Sequence, residues 1–226
     1  MKSYLTSTIF RKVLASLSGL FLVVFLLGHL GGNLQLFIPG DMGKTQFNKY
    51  ALFMTTNPGV FLLSLLTYFS ILSHVILTIY LAIVSKRARP VKYHNPTASG
   101  TSTWSSRNMT FLGIILMLFL IVHLRSFWYE MHFGAMPYQI LEDGSKIKDL
   151  YQITTQSFKQ GWYTSFYVAC MFFLGLHLYH GVQSGLQTIG LKTRKYSLSL
   201  NVLGISVSIL IPTIFATIPI YIYLTG

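Results

Sequence analysis

Five long apolar stretches alternate with shorter polar ones along the 226 residues of the chain. A helix rises about 1.5 Å per residue, so roughly 20 residues cross a hydrocarbon core of about 30 Å. The stretches near 10–37, 60–85, 109–133, 162–188 and 198–224 are all long enough, and the pattern predicts an all-α chain with five transmembrane helices in a single membrane domain over 1–226. Between them lie a loop with Pro39, Asp41 and Pro58, the basic KRARPVKYHNPTASGTSTWSSR, a mixed polar segment around EDGSKIKDLYQ, and the short LKTRKYS. Their Pro, Gly, Ser and charge content is that of interhelical connections. These loops are too short to hold an active site of their own. The N-terminal MKSYLTSTIFRKVLASLSGL has a basic start but no small-residue cleavage site after a short apolar core, so it reads as a retained first span.

Composition agrees with the pattern. Hydrophobic side chains make up 52% of the chain and charged ones 10%, with a mean hydropathy of +0.55, which is too apolar for a soluble domain of this length. The net charge of +12 could suggest nucleic acid, but the bases are scattered in short clusters between apolar runs and form no basic face. Topology explains them better. With five spans, the N-terminal side carries Lys2, Arg11, Lys12, Lys86, Arg87, Arg89, Lys92, Arg107, Lys192, Arg194 and Lys195, eleven of the 17 bases and none of the 5 acids. The other six bases share their side with Asp41, Glu130, Glu142, Asp143 and Asp149. The positive-inside rule then sets the N-terminus in the cytoplasm and the C-terminus outside a bacterial-type cytoplasmic membrane. The single cysteine, Cys170, excludes an intrachain disulfide, a Cys-only metal cluster and a C-x-x-C-H haem attachment.

Chemistry is carried by the histidines. His29, His74 and His123 lie within the first three spans, and His177 and His180 within the fourth, in FFLGLHLYHGVQSGLQTIG. Ionisable side chains at membrane depth mark binding sites or pathways. On a helix, His177 shares a face with Gly181, Ser184 and Gly185, a flat trough suited to a close helix neighbour or a flat cofactor. Chain direction alternates, so depth follows from counting. His29 lies 19 residues and His123 14 residues into spans that start inside, whereas His74 and His177 each lie 11 residues before an inner end. The four sort into an outer pair, His29 with His123, and an inner pair, His74 with His177. Two imidazoles from facing helices saturate the axial positions of a haem iron, a non-covalent arrangement suited to electron transfer. Zinc or a di-iron centre wants three or four ligands at one depth, often with carboxylates, and no acid lies near these histidines; His177 and His180 with His74 could still share one metal. Each histidine taken alone could instead only hydrogen-bond to a neighbouring helix. His180 is assigned a supporting role beside a propionate or another helix, and His94 and His132 fall at or beyond span ends.

The order of the pieces resembles a known family, the single-chain two-haem cytochrome b anchor of succinate dehydrogenase and fumarate reductase (the b558 type). RKVLASLSG ahead of the first histidine, the HLGGN that contains it, HLYHGVQSGLQTIG in the fourth span and the number of spans carry the likeness over essentially the whole chain. The resemblance implies a bundle of the first four helices around two stacked b haems, with His29 and His123 holding the outer haem and His74 and His177 the inner one. It further implies a FAD flavoprotein subunit and an iron-sulfur subunit docked on the cytoplasmic side. Electrons would pass between the iron-sulfur subunit and a membrane quinone, usually menaquinone, with succinate or fumarate handled on the flavoprotein. The complex is open to further oligomerisation.

Some family members have a glutamate just before the fourth-helix histidine, linked to proton movement. Here Gly175 stands two residues before His177, so that path is not carried over. Glu130 is the one acid near a haem level, a candidate for quinol proton exchange or a solvated helix end. Arg11, Ser16 and Ser18 could border a quinone or a propionate. The rival readings are another quinone-linked haem anchor, or a haem-free transporter or scaffold with histidines along a polar path.

Overall fold

A computed structural model describes residues 7–88 and 103–225; Lys2, Arg89, Lys92 and His94 lie outside these residues. Among the described residues, 84% are helical. The first helix, α1 (Thr8–Asn33), begins where the Ser7 side chain accepts a hydrogen bond from the Phe10 amide, supplying a partner that the first turn lacks. A tight 3₁₀ segment, Leu34–Phe37, prolongs it. After α2 (Gly40–Thr56) comes α3 (Pro58–Arg87), started by Pro58 and by the Asn57 side chain, which accepts from the Gly59 and Val60 amides. A short α4 (Trp104–Arg107) precedes α5 (Met109–His123), which runs on through a π-helical segment, Leu124–Tyr129, into α6 (Glu130–Phe133). The chain then forms β1 (Tyr138–Ile140), β2 (Lys146–Lys148), α7 (Leu150–Phe158), α8 (Gly161–Thr188) and α9 (Ser197–Thr225).

Among the described residues, five helices are long and apolar enough to cross a membrane: Thr8–Phe37, Pro58–Arg87, Met109–Phe133, Gly161–Thr188 and Ser197–Thr225. Helix α1 packs against α3 and α8, α5 packs against α8, and α8 makes its most extensive contact with α9. That last contact has a local cause. Pro212 has no amide hydrogen, so the carbonyl of Ser208 four residues earlier loses its helical donor. Gly175 of α8 comes so close to this carbonyl that a Cβ would sit 3.1 Å from the Ser208 oxygen. The glycine lets the two backbones approach where the proline has opened the ladder.

Two expected loops are folded. The stretch with Pro39 and Asp41 is the helix α2, which buries Phe47, Asn48 and Ala51, and Gly43 lets its first turn fold back on Ile38, whose carbonyl a Cβ would overlap. The polar EDGSKIKDLYQ region is an antiparallel hairpin, Tyr138 opposite Lys148 and Ile140 opposite Lys146, followed by α7. Strands of three residues are too short for alternation to reveal them.

These elements form a polar cap over the end of the molecule where α1 finishes. Asn48 and Asp149 are each 1% exposed. The Asn48 amide nitrogen donates to Asp149 at 2.9 Å and to Gln139 at 2.8 Å, its oxygen accepts from the Tyr151 amide at 2.9 Å, and Lys44 lies 2.7 Å from Asp149. Burial works to raise the Asp149 carboxyl. Hydrogen bonds from Lys44, Asn48 and the Gln152 amide, with the charge of Lys44, outweigh it and hold the group below the usual carboxylate range.

Candidate functional site

Four helices bring four histidines together in two pairs. The rings of His29 on α1 and His123 at the end of α5 have centroids 5.7 Å apart and planes at 89°. Those of His74 on α3 and His177 on α8 are 6.3 Å apart at 76°. All four side chains are half-buried.

The two pairs sit in different surroundings. Around the first, Phe25 stacks on His29 at 5.5 Å, Phe119 stacks on His123 at 5.6 Å, and Phe127 and Phe215 close in on His123 and His29 at 5.5 and 5.7 Å. A phenol completes this box: the Tyr167 hydroxyl lies 3.3 Å from His123 Nδ1 and 2.9 Å from the Tyr163 hydroxyl. The second pair is set by the backbone of α1. His74 Nδ1 lies 3.0 Å from the carbonyl of Ala15, which can only accept, so this nitrogen carries the proton and Nε2 is left bare. A Cβ at Gly19 would fall 2.8 Å from His74 Cε1, so the glycine is what lets the imidazole lie against α1. His177 Nδ1 is buried with no hydrogen-bond partner, the one such side-chain atom among the described residues.

Other candidates fall elsewhere. The Gly181 and Gly185 trough meets side chains of neighbouring helices: a Cβ at Gly181 would lie 3.3 Å from Met109 Cε, and one at Gly185 3.3 Å from Leu20 Cγ. Close helix packing therefore describes both glycines. His180 lines a cavity of about 300 Å³ with Thr103, Tyr179, Gln183, Lys192, Asn201 and Ile205. Arg11 stacks its guanidinium 4.4 Å above the Tyr80 ring, and Ser18 donates to the Leu14 and Ala15 carbonyls of its own helix. Glu130 is ion-paired with Arg125. His132 stacks on Trp128 at 4.6 Å, and the Trp128 indole donates to Tyr68 at 2.8 Å.

Among the described residues, no three His, Cys, Asp or Glu side chains gather in a group able to hold a metal ion. What the site offers is two pairs of nitrogen donors. No sequence pattern marks Tyr167, and Gly19 is marked only as the end of the small-residue run ASLSG. No family model matches the chain, and no curated protein or solved structure matches it.

Proposed function

We propose that this chain is a two-haem cytochrome b, the membrane anchor of a succinate:quinone oxidoreductase, in which His29 with His123 would hold one haem and His74 with His177 the other. The observation that carries the reading is the pairing of four intramembrane histidines at 5.7 and 6.3 Å between ring centroids. Two imidazoles bound on opposite sides of one metal at about 2 Å each have ring centres roughly 6 Å apart. The chemistry of the donors fits as well. The Ala15 carbonyl holds the His74 ring and its tautomer, as metal-bound imidazoles are commonly held, and the buried His177 Nδ1 has no partner among the described residues.

Haem bound by two histidines supplies one-electron transfer with no open coordination position. The residues of this chain do the rest. Phe25, Phe119, Phe127 and Phe215 keep the first pair dry, and Tyr167 orients His123. Gly19 and Ala15 position His74. In this reading the first pair lies toward the outer face and the second toward the cytoplasm, where the flavoprotein and iron-sulfur subunits dock. Electrons pass between that partner and a membrane quinone, menaquinone in the first instance. The chain itself has no part in dicarboxylate chemistry.

A dithionite-reduced minus oxidised spectrum of the purified chain, with a haem-to-protein count, tests the proposal. Two b-type haems are expected, falling to one in His177→Ala or His74→Ala and to the other in His29→Ala or His123→Ala. A colourless protein sinks it. Co-purification of a flavoprotein separates this complex from other quinone-linked haem anchors.

A further inference from the structure

We propose that the cavity containing His180 is a binding site for the phosphate of an anionic phospholipid. The site is built by a relay of three residues. Gly204 of α9 leaves space for the Gln183 side chain, since a Cβ there would sit 2.8 Å from Gln183 Nε2. Seated in that space, Gln183 donates to the Asn201 carbonyl at 3.1 Å, which turns its oxygen toward the Lys192 ammonium at 3.2 Å. The lysine is thereby held on the cavity wall instead of ranging over the surface.

The remaining lining groups suit an anion. Among the described residues, no carboxylate lines the cavity. The Thr103 hydroxyl oxygen accepts from the Ser106 amide at 3.2 Å, which leaves its hydrogen to donate, and Lys192 retains further hydrogens beyond the one given to Gln183. His180, one helical turn before Gln183, supplies a ring N–H. A basic pocket between transmembrane helices at the end of the spans is a place where lipid headgroups bind.

An apolar track leads away from this cluster. Leu198, Val202, Ile205 and Ile209 lie at i, i+4, i+7 and i+11 on α9 and are all exposed, and Ile205 itself lines the cavity. A ligand with an anionic head and hydrocarbon chains matches both parts at once, whereas inorganic phosphate matches only the first. The site depends on the membrane-spanning fold and not on haem.

Native mass spectrometry of the full chain in detergent, titrated with phosphatidylglycerol, phosphatidylcholine or inorganic phosphate, tests the assignment. Phosphatidylglycerol should bind more tightly than phosphatidylcholine, and Lys192→Gln should weaken it about fivefold. The control Lys195→Gln, which removes a charge from the same turn outside the cavity, should leave it unchanged. Equal retention of the two lipids, equal loss in both lysine variants, or full competition by millimolar inorganic phosphate overturns the proposal. Haem content is read in the same samples and should be the same in all of them, so failure here is distinct from failure of the haem assignment.

Discussion

The hydroxyl of Tyr167 lies 3.3 Å from Nδ1 of His123, joining α8 to the end of α5 by a phenol–imidazole contact inside a cluster of aromatic rings. If His123 binds metal through Nε2, Nδ1 carries the proton and donates it to the phenol oxygen, and Tyr167 in turn donates to Tyr163.

Tyr167→Phe keeps the ring and removes the acceptor. Donation from Nδ1 makes an imidazole a more basic ligand, so its loss favours the reduced iron. On the two-haem proposal, both haems should be retained, with one midpoint potential raised and the other unmoved. A redox titration of the α band in the two proteins checks this, and two unmoved potentials rule out the role given to Tyr167.

Gly19 permits the His74 imidazole to lie on α1. A larger residue there must push the ring aside, because the first added carbon falls 2.8 Å from Cε1, and overpacking of this kind costs about 1–3 kcal/mol. If the two-haem proposal holds, Gly19→Val should lose the haem of the His74–His177 pair and keep that of the His29–His123 pair. The haem-to-protein ratio should fall from two to one. A ratio unchanged at two would show that the ring tolerates the displacement.

At Gly175 the expected effect is on stability. Gly175→Leu forces α8 away from the Ser208 carbonyl that Pro212 has left without a helical donor, and should cost about 1–3 kcal/mol. Thermal unfolding in detergent should show a lower midpoint, with Gly175→Ala falling between it and the parent.

Acid should loosen the polar cap through Asp149. Its folded carboxyl is held below the unfolded value of about 3.9, so its contribution is fully present above that value and lost as the pH falls through the folded one. Asp149→Asn removes the titration. The unfolding midpoint of the parent should drop below about pH 4, while that of the variant, already lower at pH 7, changes less.

The sequence by itself determined five helices long and apolar enough to cross a membrane and the place of each intrahelical histidine along its helix. Both follow from quantities local to the chain: apolar length against the hydrocarbon thickness, and a helical rise set by backbone hydrogen bonding. It did not reveal α2 and the hairpin, whose polar residues read as loop. Their folding depends on Asn48 meeting Asp149 and Gln139 about a hundred residues away. Nor could periodicity say which helix faces meet. The trough at Gly181 and Gly185 stood out in the sequence, yet in the structure it receives Met109 and Leu20, while Gly19 on another helix accommodates His74. Tertiary structure alone decided that Tyr167 reaches His123 and that His180 lines a cavity with Lys192 and Asn201, because rotation of a helix about its axis is fixed by the packing of all its neighbours together and by no single stretch of chain.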